Sequence, residues 1–258
     1  AMTGDGVNDV LALKCADCSV AMASGSDAAS NAAQIVLLDS DFSKMPEVVL
    51  EGRRVVNNIQ TSASLFLVKN IFSILTTVFT LIAANLYPLY PTQLSLLGAF
   101  TIGTPAFVLA LQPNKELIRG DFLVNVILKA LPAGFADFIM LAAISIHGNI
   151  LGMSNEQIST VAIVILLFIG LAALVRICRP FDGIRILLCL AMAAGIVICV
   201  LNFKGIFAIT TVNMIMLRMI IMYALIAGVL FCIMCKSVGG WIDYMERHSK
   251  RFRMLLKG

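Results

Sequence analysis

The sequence predicts an α-helical polytopic membrane protein with a small α/β segment at its N-terminus. Of 258 residues, 60% are hydrophobic and 13% charged, against about 45–50% and about 25% in an average soluble domain. Long apolar blocks follow one another from about residue 62 to the last twenty or so residues, whereas residues 1–60 alternate short β-rich and helical runs. The composition excludes a soluble enzyme, a disordered chain and a nucleic-acid-binding module. Lys and Arg number 19 against 15 Asp and Glu, a net charge of +4, too weak to indicate nucleic acid as a partner.

Residues 19–23 and 35–38 read as strands, and residues 10–16 and 27–33 as helices. Short strands alternating with helices predict a parallel sheet. Ser26 or Asp27 stands where the second helix needs a cap. From Pro46 the run PEVVLEGRRVVNNIQTSAS keeps a helical period, and nothing breaks it before the apolar stretch at Leu65. One continuous helix is expected from Pro46 to about Tyr87, leaving the polar segment and entering the bilayer.

A membrane-spanning helix needs about 20 largely apolar residues. Blocks at 63–86, 93–111, 122–146, 158–176, 185–203 and 209–235 qualify. Pro105, Pro132, Gly134 and Gly195 fall inside them, where bilayer helices tolerate such residues. One set of linkers contains Lys115, Arg119, Arg176, Arg179 and Arg185. The tail adds Lys236, Arg247, Lys250, Arg251, Arg253 and Lys257. The opposite linkers have Lys204 as their Lys or Arg. By the positive-inside rule, both ends of the chain are expected in the cytoplasm.

The seven cysteines lie mostly in apolar runs and read as small buried hydrophobes in a reducing compartment. The chain begins at Ala1 with a polar, Gly-rich run and no signal peptide, so the true start of the protein is expected upstream.

The run Met2-Thr3-Gly4-Asp5-Gly6-Val7-Asn8-Asp9 is the most informative. Gly4 and Gly6 bracket Asp5 and let the backbone turn tightly near a ligand. Asp5, Asn8 and Asp9 offer hard oxygens within five positions, a set that suits Mg²⁺. The run fails the dinucleotide fingerprint, since Asp9 stands at the last glycine position, and no phosphate-loop lysine follows. On these grounds alone, a ligand-free turn explains it equally well.

Residues 2–9 resemble, without a break, the hinge motif TGDGVND of P-type ATPases. Further resemblance lies in Ala16-Asp17 leading into Ser19-Val20-Ala21-Met22, in Gly25-Ser26-Asp27-Ala28-Ala29, in Ile35-Val36-Leu37-Leu38-Asp39 and in Glu51-Gly52-Arg53-Arg54. The resemblance implies that residues 1–45 are the end of a haloacid-dehalogenase-like phosphorylation domain and residues 46–62 a stalk helix. It further implies a six-helix membrane domain at 63–235 and a basic cytoplasmic tail at 236–258. Asp5 would bind the catalytic Mg²⁺. Asn8 and Asp9 would support the phosphorylated aspartate and its metal, Asp9 indirectly, with Thr3, Gly4 and Gly6 forming the surrounding loop. The phosphorylated Asp of the family's DKTG loop, its nucleotide-binding domain and its actuator domain lie upstream of such a hinge and do not occur in these residues. ATP and Mg²⁺ are the implied cofactors. The implied partners are the lipid bilayer, a transported cation and the upstream part of the same polypeptide. By this resemblance the chain alone should be inactive, because phosphoryl transfer needs nucleophile, nucleotide cradle and metal ligands together.

Heavy-metal pumps of the family have two spans after the hinge, so six point elsewhere and weaken a metal reading of Cys15-x-x-Cys18 and Cys232-x-x-Cys235. The run Gln93 to Pro105 fits the frame of the family's broken second span, but Ile102 stands where animal calcium and sodium pumps have a carboxylate. The first span has Lys69-Asn70-Ile71-Phe72-Ser73 and no acid. Lys69, Asn70, Ser73, Thr101 and Thr104 are therefore the transport-site candidates. The stretch Thr101 to Asn114 resembles a bacterial cation-pump branch. It implies ATP-driven transport of calcium or another cation across a bacterial plasma membrane. A flippase-like pump, suggested by Lys69-Asn70, and a degenerate remnant that no longer pumps are the alternatives. Lys69, Asp137 and Arg218 lie inside apolar blocks, where an unpaired charge is costly. Counting depth from the block ends predicts an Asp137–Arg218 ion pair. Lys69, far from both, would face the transport site or snorkel to the surface.

Overall fold

The computed structural model describes residues 1–83, 87–114, 116–118 and 120–248, without the side chains of Asp243, Met245, Glu246 and Arg247. Lys115, Arg119, Lys250, Arg251, Arg253 and Lys257, the side chain of Arg247 and the end of the first apolar block at 84–86 lie outside the described residues. The chain forms two compact units, Ala1–Arg53 and Arg54–Gly258.

In the first unit, β1 (Met2–Gly4), β2 (Ser19–Met22) and β3 (Ile35–Leu37) form a parallel sheet in the order β1-β2-β3. Met2 is in register with Ser19, and Val20 with Ile35. Helices α1 (Val10–Cys15) and α2 (Asp27–Ala32) make the crossovers that parallel neighbours require. Leu13, Ala21 and Ala29 form the small core. Ser26 is the cap of α2, its hydroxyl accepting the Ala29 N–H at 3.2 Å. Asp41 caps the short turn Phe42–Lys44, from which α3 (Met45–Ile82) continues. That helix runs 38 residues without interruption, about 57 Å at about 1.5 Å per residue.

In the second unit, α4 (Pro91–Gly98) and α5 (Thr104–Ala110) are joined by a π-helical turn, Ala99–Gly103. After them come α6 (Phe122–Ile150), α7 (Asn155–Ile177), α8 (Gly183–Asn202) and α9 (Met214–His248). Among the described residues six helical segments are long and apolar enough to cross a membrane, α4, the π turn and α5 counting as one. Nearly three quarters of the most apolar window of α7 is buried, against about a tenth in α8. Composition does not separate them, since α8 is apolar as well; position does, because α7 packs against α4, α6, α8 and α9. Glycines allow close approach between spans. A Cβ on Gly148 would stand 2.5 Å from Ile158, and one on Gly195 would stand 2.3 Å from the Phe100 ring.

The last span begins at Met214, not at residue 209 as the apolar block suggests. Asn213 caps it by accepting the Met216 N–H at 2.9 Å. The preceding residues are tied to α7 instead, where the Thr160 hydroxyl accepts the Thr210 N–H at 3.0 Å.

Candidate functional site

The loop after β1 is built at the carboxyl ends of parallel strands, the position where open α/β sheets bind ligands. The Asp9 carboxylate folds back and accepts the N–H groups of Asp5 at 3.2 Å and Gly6 at 3.1 Å. Gly4 is required for that closure, because a Cβ there would lie 2.6 Å from the Cβ of Asp9. The loop after β2 comes to the same place: the Ser26 N–H donates to the Asp5 carbonyl at 2.7 Å. A Cβ on Gly25 would stand 2.5 Å from that carbonyl oxygen.

Asp9 is therefore the loop's organiser, and its carboxylate is engaged with backbone amides. The Asp5 carboxylate is exposed and makes no hydrogen bond among the described residues. Thr3 and Asn8 are exposed beside it, with Gly4 and Gly6 partly buried. No three His, Cys, Asp or Glu side chains converge to hold a metal ion among the described residues, Cys15, Cys18, Cys232 and Cys235 included. The donor set is compatible with Mg²⁺ in one way: Asp5 would offer one hard carboxylate, the rest of the shell being left to water and phosphate oxygens. Mg²⁺ commonly binds through one or two carboxylates in that manner.

In the membrane unit, Lys69 and Thr101 line one cavity, together with Asp137. The Thr101 hydroxyl donates to the Leu97 carbonyl at 2.7 Å, inside the span interrupted by the π turn. Asn70 and Thr104 are exposed, and the Ser73 hydroxyl faces the Tyr87 phenol. The five candidates therefore do not converge; two of them do, joined by an acid on α6. That acid carries its own signal in the sequence, a lone Asp within an apolar block.

The expected Asp137–Arg218 ion pair does not form. Arg218 is exposed, on the face opposite buried Met216 and Met219, and Oδ1 of Asp137 has no hydrogen-bond partner. With α9 starting at Met214, Arg218 lies about 6 Å from that end, while Asp137 lies about 20 Å from the Ile150 end of α6. Alternate spans reverse direction, so these two ends share a membrane face, and the depths differ by about 14 Å at about 1.5 Å per residue. Lys69, expected far from Asp137, shares its cavity. Depth measured along one helix ignores tilt and the reach of a lysine side chain.

The polytopic membrane unit and the parallel α/β segment with its Asp-Gly loop define a membrane protein carrying part of an α/β domain. No protein-family model matches the chain. It is 40% identical over 203 residues to "Probable cation-transporting ATPase exp7" of Streptococcus pneumoniae, a match covering 76% of this chain and 26% of that protein. It is 42% identical over 212 residues to "Calcium-transporting ATPase CtpE" of Mycobacterium bovis, covering 77% and 27%. A protein of the same name in Mycolicibacterium smegmatis is 38% identical over 230 residues, covering 83% and 29%. The chain spans less than a third of the length of these curated relatives. It belongs to the P-type ATPases, most of its length resembling bacterial members whose names describe them as cation- or calcium-transporting, and its six apolar helices fit the C-terminal membrane part of that family.

Proposed function

We propose that this chain is the C-terminal part of an ATP-driven cation pump of a bacterial plasma membrane, with calcium the first cation to test. The observation that carries the reading is identity of 38–42% to cation- and calcium-transporting ATPases over 76–83% of the chain. Residues 1–45 then close a phosphorylation domain, 46–62 form its stalk, 63–235 the transport domain and 236–258 a cytoplasmic tail. The upstream part of the polypeptide supplies the phosphorylated aspartate and the ATP site, and the chain without it is inactive.

Mg²⁺, when bound, neutralises charge on the transferring phosphoryl group. The Asp5 carboxylate would hold it, and the exposed Asn8 amide would reach the phosphoryl oxygens. Asp9, through the Asp5 and Gly6 amides, keeps Asp5 at the loop's outer edge. Thr3, Gly4 and Gly6 shape the loop around it. The uninterrupted α3 supports a mechanical link, movement of the phosphorylation domain being carried along the stalk into the first span.

The test is ATP-driven uptake of radioactive calcium into inside-out vesicles containing the intact pump. Uptake that needs Mg²⁺ and vanishes in Asp5→Asn supports the reading. ATP-driven movement of a fluorescent lipid, with no cation uptake across a panel of ions, would overturn it in favour of a flippase. Inserting a Gly-rich segment beside Asn57 and Asn58 should leave ATP hydrolysis but abolish uptake. Fully coupled uptake after that insertion would refute the stalk's role.

A further inference from the structure

At the end of the membrane unit where α6 begins and α7 ends, α3, α6, α7 and α9 surround a cavity of about 220 Å³. Three cations line it: Lys129 on α6, Arg176 in the last turn of α7, and Arg179 just beyond that helix. Among the described residues its lining includes no Asp or Glu. Lys129, Arg176 and Arg179 are exposed, whereas Ser64, Ala133 and Phe231 in the same lining are buried. The cavity therefore has a cationic rim and a largely apolar floor. The Ser64 hydroxyl already donates to the Gln60 carbonyl at 2.7 Å, so the donors left for a guest are those of the three cations.

Like charges gathered in one place repel, and Arg176 is close enough to Lys129 to do so. Glu116, the acid that attracts Lys129, lies outside the lining. Among the described residues none of the three cations makes a salt bridge, and Arg179 stands 6.0 Å over the Phe181 ring. An anion between them relieves the repulsion, and two guanidinium forks match pairs of phosphate oxygens. The volume far exceeds the about 10–15 Å³ that one water needs, which leaves room for a phosphate group. Lys129 stands seven residues inside the Phe122 start of α6, about 10 Å at about 1.5 Å per residue. Arg176 is next to the Ile177 end of α7. These depths straddle the boundary between acyl chains and headgroups, a layer of about 5–7 Å on each side of the hydrocarbon core. A free phosphate gains nothing from the apolar floor, and a zwitterionic headgroup brings its own cation against the rim. A lipid of net negative charge satisfies both parts.

We propose that this cavity binds the phosphate group of an anionic phospholipid, with Lys129, Arg176 and Arg179 on the phosphate and the glycerol against Ala133 and Phe231. Basic pockets between transmembrane helices take anionic headgroups by this chemistry. The bound lipid would tie α6, α7 and α9 together at one end of the membrane unit. The inference goes beyond the transport reading and stands whichever substrate is moved.

The test strips the intact protein of lipid in a neutral detergent and titrates it with phosphatidylglycerol or phosphatidylcholine, counting bound lipid by native mass spectrometry. One phosphatidylglycerol should bind about tenfold or more tightly than phosphatidylcholine, as three cations near one phosphate require. Lys129→Gln, Arg176→Gln and Arg179→Gln should each weaken phosphatidylglycerol about fivefold, the share of one cation at a membrane surface, and leave phosphatidylcholine unchanged. Lys236→Gln removes an exposed cation of α9 outside the cavity and should change neither lipid. Equal affinity for the two lipids, or no effect of the three variants, would overturn the proposal. An equal loss in Lys236→Gln would also overturn it, assigning the preference to bulk surface charge. Inorganic phosphate alone should not raise the unfolding temperature. A rise matching that given by phosphatidylglycerol, and lost in Arg176→Gln, would assign the cavity to free phosphate and overturn the lipid. Should one variant fail to fold by size exclusion, the other two decide.

Discussion

The side-chain amide of Asn58 donates to the backbone carbonyl of Gln112 at 3.0 Å, and also to that of Ala110 at 2.8 Å. Gln112 in turn accepts the Arg185 Nε at 2.8 Å through its side chain. One amide on α3 thus ties the end of the second span, and through Gln112 the start of α8, to the first span. Asn58 and Gln112 are buried while Ala110 is exposed, so loss of the amide strands the Gln112 carbonyl away from water. Asn58→Leu should lower stability by about 1–3 kcal/mol, the cost of an unsatisfied buried acceptor. Thermal unfolding in detergent checks this, and an unchanged transition would show that other partners replace the amide.

Asp5 and Asp9 are separable by mutation. Asp5→Asn changes an exposed carboxylate with no hydrogen bond among the described residues, so folding should be unaffected while phosphoenzyme turnover is lost. Asp9→Ala removes the acceptor of two amides. It should loosen the loop by about 1–3 kcal/mol as well as impair turnover. Hydrogen exchange at the amides of Asp5 and Gly6 reports the difference: faster in Asp9→Ala, unchanged in Asp5→Asn.

Gly25→Ala would place a methyl 2.5 Å from the Asp5 carbonyl oxygen. Backbone on both sides leaves no flexible side chain to yield, so one loop must shift. The expected cost is about 1–3 kcal/mol, as for overpacking elsewhere, with loss of the Ser26–Asp5 hydrogen bond. Phosphoenzyme formation should fall together with stability. Wild-type values of both would mean that the two loops are not held in register.

Asp41 gives a pH dependence. Hydrogen bonds from the Ser43 hydroxyl at 2.7 Å and then the Ser43 N–H at 2.9 Å hold its carboxyl below the usual range. Because the folded value is depressed, the cap is fully effective above the ordinary Asp value of about 3.9. It is lost as pH falls through the folded value. Amide protection at Ser43 should therefore drop in acid in wild type, whereas Asp41→Asn should show no such step.

Composition, period and turn chemistry determined much of this protein, because those signals are local. Six apolar stretches became six candidate spans, Ser26 capped α2, and the Gly-Asp-Gly run formed a tight loop at a strand end. What only the tertiary structure decided was rotation and convergence. Asn70 and Thr104, read as possible ligands, are exposed, while Asp137 and Lys69, separated by depth counting along single helices, line one cavity. The π turn at Ala99–Gly103 changes which side of the second span faces inward, and Asn213 moves the start of the last helix, taking Arg218 away from Asp137. A side chain's neighbours across spans depend on helix phase, tilt and capping together, and each of those is set by packing between segments distant in sequence.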